Sequence, residues 1–518
     1  MAELRASAGL GIGEMNRALA AALVAVGLAT TLPAKAQKPA DTLRITWRDA
    51  VADVTPYYNQ QRTGIVIGHQ VWDSLVYRDP ETFQLRPLLA ESYKWADETT
   101  LEFTLRPNVT FHNGDRLTAA DVVYTINAIL ADRQVATPSN YGYIDHATQV
   151  DDTHVRVELK RVFPAALDYM AMTLYIMPKV YRESLGPQAY SQHPIGAGPY
   201  RITKVNGTTE VDMERYDGYY ADSPKGRPAI GKIVISEVPD AATEIADLLA
   251  GRADWIWNFS AEQFDTVVRN PALQATRAES MRVEYLGMDA AGRTGADNPL
   301  TQDKVRRAVA YALDRATLAR QLMQGASRVI DTPCYPTQFG CDAGAAVRYP
   351  YDPARAKQLL ADAGYPNGFD TELVTYQLPQ WADAVQGYLK AVGINANIVQ
   401  LPVAAEVQRS LAGQIPLELG SWGSYSVNDV SAILPNFFTF TGNDYTRDPA
   451  IRKLVEAGSA TVDPDQRRKA YSAAIKLITE KASWLPIFTH TVTYGYAKQL
   501  NFKPYPDELP RFFLASWK

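Results

Sequence analysis

Four places in this sequence hold residue types at spacings that chemistry uses. Gly226 to Lys232, GRPAIGK, has the spacing of a phosphate-cradling loop. Such a loop needs a Ser or Thr after the lysine to hold magnesium and a helix to follow. Here Ile233 follows, Pro228 lies inside, and KIVISEV reads as a strand. Gly196-Ala197-Gly198 is a second glycine pair, but Pro199 removes a donor and strand residues come next, so a tight return fits better than an anion loop. His112 has no second His, Cys or acid at ligand or relay spacing and reads as a packing residue. Cys334 and Cys341 bracket PCYPTQFGC, where Pro333, Pro336 and Gly340 preclude regular structure. With no His in that loop, a short disulfide is expected rather than a metal site. A nucleophile elbow, an H-E-x-x-H pair and a calcium loop are all missing from the chain, and its six histidines are scattered. Two carboxylates that meet only in three dimensions keep a hydrolase open as an alternative.

The elements that would position such residues fit an ordinary globular protein of 518 residues, long enough for two to four domains. A net charge of -5 offers no footprint for nucleic acid. The apolar run Ala18 to Ala29 is too short to span a membrane, follows Arg17 and precedes Ala34-Lys35-Ala36. It predicts a secretory signal at 1–36, cleaved near Ala36, with Met15 a more ordinary start than Met1. No Cys follows as it would in a lipoprotein, so a periplasmic product is expected. The stretch Thr301 to Gly325 reads as helix, with Thr301 as cap, Gln324-Gly325 as stop and Asp314 as a second cap after a slight break. Val305, Ala308, Val309, Ala312 and Leu313 form its buried face, and Lys304, Arg306, Arg307 and Arg315 fall elsewhere.

The wording of that helix, with Asp303, Val305, Arg306, Ala308, Ala312, Leu313, Asp314 and Arg315, resembles the signature of the peptide- and nickel-type solute receptors of ABC importers. Further matches follow in order along nearly all of the mature chain. LRPLLAESYKWADETTLEFTLRPNVTFHNGDRLTAADVVYTINAIL is one, Pro194 to Tyr200 another, with Ala197 where Thr is commoner. Tyr351 to Tyr365, YDPARAKQLLADAGY, is a third. The resemblance implies an α/β fold of the type II periplasmic-binding-protein kind. Lobe I would comprise 41–76, 195–284 and 489–518, an inserted α/β domain 77–194, and lobe II 285–488. It implies capture of a peptide or peptide-like solute between the lobes and delivery to membrane permease subunits, by a monomer without catalysis, cofactor, metal or nucleic acid.

The ligand loops depart from the family pattern. Peptide-binding relatives carry an Asp three residues after a Trp, to meet the peptide's ammonium group, and an Arg in a second loop for its carboxylate. Here Tyr425 stands three after Trp422, and the stretch Thr375 to Trp381 has no Arg. Asp429 is either the displaced ammonium partner or a helix cap. The expected lining is therefore aromatic and neutral: Tyr376, Gln377, Trp381, Trp422 and Tyr425, with Asp429 if it is the ammonium partner, facing Tyr57, Tyr58, Gln60, Gln61 and Thr63. About half of the aromatics are expected to be plain core. A neutral oligosaccharide or an opine-like conjugate is the alternative solute, and a nickel chelate is disfavoured because neither loop has a His.

Overall fold

Leu43, Ile45 and Trp47 alternate with polar neighbours and are fully buried, which makes Thr42–Trp47 the strand that the period of two predicts. It lies inside a sheet of ten strands. Across the sheet the order is Ile394–Gln400, Phe369–Thr375, Leu417–Trp422, Leu273–Met288, Trp484–Ala497, Trp255–Trp257, Thr42–Trp47, Lys232–Glu237, Glu210–Arg215 and Tyr200–Asn206. A second, four-stranded sheet is formed by Ala90–Asp97, Thr100–Leu105, His154–Leu159 and Ile144–Gln149. The fold is that of type II periplasmic binding proteins. The structure, a computed structural model, describes residues 41–518 except 52, 60, 324 and 325, so the expected signal, Gln60 and the Gln324-Gly325 stop lie outside the described residues.

The two long central strands, Leu273–Met288 and Trp484–Ala497, pair antiparallel from Leu273↔Ala497 to Glu279↔Thr491. The ladder then breaks and resumes at Val283↔Thr489 in a shifted register. An extra residue in one strand of a pair bends it. Apolar packing changes at the same level. Trp47, Trp255, Tyr494 and Phe512 share one core with Leu101, Phe103 and Val157 of the small sheet. Beyond the break, Leu286, Val309, Leu373, Leu417 and Phe488 form a second core, and Tyr285, Phe437, Tyr471 and Trp484 a third.

Local chemistry explains most boundaries. Asp314 caps Arg315–Leu322 through the Thr317 amide at 3.0 Å, and Asp352 caps Pro353–Asp362 through the Arg355 amide at 2.8 Å, both as read from sequence. Gly196 and Gly198 need to be glycine: a Cβ would sit 2.0 Å and 2.7 Å, respectively, from the Val71 carbonyl oxygen. His112 closes the same corner, donating from Nε2 to the Gly198 carbonyl at 3.0 Å and accepting at Nδ1 from the Gly196 amide at 3.2 Å. Burial drives its pKa down to about 4, so the ring stays neutral in this packing role. The Cys334–Cys341 disulfide is formed.

Three local expectations are corrected. The stretch IVIGHQVWDSLVYRD, Ile65 to Asp79, reads from sequence as one helix, but helix Arg62–Val71 stops before WDSLVYRD, because Trp72 is extended and Asp73 is drawn to Lys225, Tyr219 and Tyr220. Thr301 does not cap the signature helix; it ends a short 3-10 turn, Pro299–Thr301, capped by Asn298, and Asp303–Ala312 starts from Gln302. Arg306 and Arg315 do not fall outside the buried face but are 3 % and 8 % exposed. Arg306 donates to the carbonyls of Leu300, Thr301 and Lys481, and Arg315 to those of Ile330, Pro486 and Tyr349 and to Asp331. Both guanidiniums tie loop backbone to the helices, a use of charge that periodicity does not register.

Candidate functional site

A cavity of about 770 Å³ opens at the break in the central ladder. One wall comes from the side of the first strand: Arg48 just after it, Arg62 at the start of its helix, and Trp257 to Ser260. The opposite wall is Leu322, Met323, Leu378, Gln380 and Trp381, and the floor is the strand segment His490 to Thr493 with Arg282 and Glu508. The location agrees with the rule that open α/β sheets bind ligands beyond the carboxyl ends of their parallel strands. Its size is that of a small solute site.

Local folding fixes the polar groups here. Arg48 donates from Nη2 to the Asn258 carbonyl at 2.7 Å, and Asn258 holds a left-handed backbone conformation, φ 57°. The Arg277 guanidinium lies 3.5 Å from the centroid of the Phe264 ring, a cation–π stack that sets its direction. Arg62 and Arg282 converge on Glu508, at 2.9 Å and 3.4 Å. Burial would raise the Glu508 carboxyl, but Arg282 and Arg62 outweigh it and hold it well below the usual carboxylate range. His490 Nδ1 meets Glu284 at 2.7 Å, and Gln377 donates to the other Glu284 oxygen at 3.2 Å. Glu244, 3.5 Å from Arg48, is pushed by burial up to about 7.

Of the described residues expected to face the solute, Trp381 alone lines this cavity. Tyr57 is buried in the first core, donating to the Tyr175 carbonyl at 2.6 Å and accepting from the Tyr175 amide. Tyr58 donates to Asp132 and accepts from Arg182. Gln61 is exposed ahead of its helix, and Thr63 is buried within it. Tyr376 donates its hydroxyl to the Ser421 carbonyl, and Trp422 its indole N–H to the Ala432 carbonyl at 2.9 Å. Asp429 is 3 % exposed; its carboxylate takes two bonds from Arg467 and caps the turn Val430–Ala432 through the Ser431 amide. These acceptors are spent inside the fold, which favours the cap reading over the ammonium contact. Tyr425 is 46 % exposed, in a turn whose residues Ser424, Tyr425 and Ser426 all have φ between 49° and 62°.

Among the lining residues that the sequence reading did not single out are the charged ones Arg48, Arg277, Arg282 and Glu508. Arg48 could have been found as the first charge past the carboxyl end of strand Thr42–Trp47. Arg277 and Glu508 carry no local signal, since their importance comes from partners far away in the chain.

A family model, "Bacterial extracellular solute-binding proteins, family 5 Middle", matches residues 84–445. The glutathione-binding protein GsiB of Escherichia coli (strain K12) is 26% identical over 506 residues, covering 92% of this chain and 95% of that protein. A dipeptide binding protein from Pseudoalteromonas sp. SM9913, solved in complex with Met-Leu, superposes with a TM-score of 0.74 at 22% identity, over 92% of this chain and 100% of that one. MoaA from A. tumefaciens R10, solved with mannopinic acid, gives 0.73 at 22%, over 92% and 99%.

Proposed function

The chain belongs to the family 5 bacterial extracellular solute-binding proteins, and on that premise we propose that it captures a peptide or peptide-like solute between two lobes and delivers it to the membrane subunits of an ABC importer. The family consists of receptors, and we read this member likewise as a non-catalytic, monomeric one, with ATP hydrolysis left to the importer. Lobe I is 41–76, 195–284 and 489–518, the inserted domain 77–194 and lobe II 285–488. These bounds cross the central pair at Glu284–Tyr285, where the register shifts again just past the break between Glu279 and Val283, and the proposed hinge lies there. The observation that carries the reading is the cavity at that break, with walls drawn from both lobes. A solute there touches both, so its binding energy favours the closed arrangement that the importer recognises.

A clasp beside the cavity supports the same picture. Arg62 of lobe I donates to Ser426 of lobe II, whose hydroxyl donates to the Asp507 carbonyl at 2.7 Å. Export to the periplasm follows from the signal expected at 1–36. No helix among the described residues is long and apolar enough to cross a membrane. An opine-like conjugate is kept as a second solute class because MoaA was solved with mannopinic acid. Binding without turnover is tested by heating the purified receptor with a peptide or opine and analysing the mixture. A receptor melts higher with its solute and returns it unchanged; a hydrolase releases products, and that result would end the reading.

A further inference from the structure

We propose that the chain carries a second ligand site, a cleft between the proposed inserted domain and the proposed lobe II that takes a small neutral aromatic amide. The cleft holds about 610 Å³ and shares no lining residue with the cavity at the ladder break. Val162, Phe163, Pro164 and Tyr169 wall it on one side, Pro435 and Val455 on the other. Tyr169, on helix Ala166–Thr173, is 8 % exposed, and its hydroxyl makes no hydrogen bond among the described residues; Tyr425, Asp429 and Asp168 act on it only through charge. Ser431 lines the other wall, and its buried Oγ likewise has no partner among the described residues. Thr439 and Ser459, by contrast, are spent on the carbonyls of Pro435 and Val455. Buried polar groups are ordinarily paired, so two open hydroxyls from the two walls of one cleft mark a place for an outside partner.

The lining also sets the ligand's class. Phe163 stacks on Tyr143 with ring centroids 4.4 Å apart and meets Tyr169 at 5.2 Å, which fixes an aromatic surface for a ring. The carboxylates that act on Tyr169 are answered within the fold, Asp168 by Arg78 at 3.9 Å and Asp429 by Arg467 at 2.8 Å. The charged lining residues, Arg161 and Glu456, are exposed and opposite in sign, and Arg452 holds Glu456 at 2.6 Å. Arg161 is left in solvent, where its field is screened, so no anchoring charge stands inside. An amide places an acceptor beside a donor and so serves both hydroxyls. On the lobe bounds proposed above, the two walls separate on opening, so an occupant favours closure as the solute does. The site itself stands whatever the first cavity holds.

The test is saturation-transfer NMR with benzamide, benzoate and benzylamine on wild type, Tyr169→Phe, Ala460→Trp and Trp381→Ala. Ala460 lines the cleft and is exposed just past helix Pro449–Ser459, so a tryptophan there narrows the cleft without entering the core. Benzamide is expected to bind wild type and Trp381→Ala alike, Tyr169→Phe about fivefold more weakly, and Ala460→Trp not at all. Tyr169→Phe keeps the ring and decides alone if Ala460→Trp melts low. Both charged probes are expected to bind several-fold more weakly than benzamide. Hydrogen exchange at the amides of Ser426 to Ala432 is expected to slow with benzamide in wild type and in Trp381→Ala. Binding unaltered in Tyr169→Phe and Ala460→Trp, or lost in Trp381→Ala, overturns the site. No transfer at all leaves both hydroxyls to water and also overturns it. Preference for benzoate or benzylamine overturns the neutral chemistry, and unchanged exchange overturns the link to closure. Each of these results leaves the receptor reading standing.

Discussion

At the scale of single residues, charge burial separates structure from binding. Asp507 sits between Arg78 and Arg511, fully buried, and although burial would raise its carboxyl, the two guanidiniums bring it down to about 2. Glu406 is the opposite case. Burial, and then the neighbouring Glu418, push it up to about 8, while Tyr285 donates to Glu418 at 2.6 Å. A carboxyl whose folded pKa lies above its unfolded value contributes stability that is complete below the unfolded value, near 4.5, and is lost as pH rises through 8. Glu406→Gln should therefore flatten the fall in melting temperature between those limits and stabilise the protein by a few degrees at its upper end. A pH series of melting curves that keeps its slope in the variant would show that the pair titrates normally. None of this was legible in the sequence. Asp314 and Asp352 announce themselves as caps because a cap and its amide lie three residues apart. Tyr57 and Tyr175 are 118 positions apart, and only the fold reveals that the Tyr57 hydroxyl is already taken.

At the scale of elements, the turn Ser424 to Ser426 is the place where the proposed lobe II reaches the proposed lobe I. Three successive non-glycine residues in the left-handed region are costly, on the order of 1 kcal/mol each, and are retained where surrounding contacts over-determine them. Here those contacts are Arg62 and the Asp507 carbonyl on Ser426, and Val427 and Ala432 inserted in the lobe I core. The sequence pointed to this stretch as a ligand loop through Trp422 and Tyr425, and gave no local signal of the contacts that Ser426 makes with Arg62 and Asp507. Because hydrogen bonds to a charged donor contribute about 1.5 kcal/mol, Ser426→Ala should speed solute release and weaken binding roughly three- to tenfold, with the solute-free protein melting as before. An equal loss of stability with and without solute would mean that the seam is permanent packing and not a clasp. The strands themselves were the most legible part, since period-two alternation names Thr42–Trp47, Thr100–Leu105 and His154–Leu159 directly.

At the scale of the whole molecule, one ten-stranded sheet passes through both proposed lobes, and the ladder of its two long central strands breaks at the level of the cavity. On the proposed lobe bounds the hinge falls at this irregularity and the solute site beside it. Motif order along the chain was enough to anticipate the fold and the receptor class. The lining was harder, because it depends on which of many aromatic and charged loops turn inward. Trp381 does so, while Trp422 is tied to Ala432 and packs on Phe437. The most direct measurement is native mass spectrometry of the receptor isolated from the cell envelope without denaturation, alongside Trp381→Ala. The expected result is one small solute bound per chain, released chemically intact and lost from the variant while the fold persists. A solute retained equally by Trp381→Ala, or recovered as reaction products, would contradict the assignment of this cavity as the binding site of a receptor.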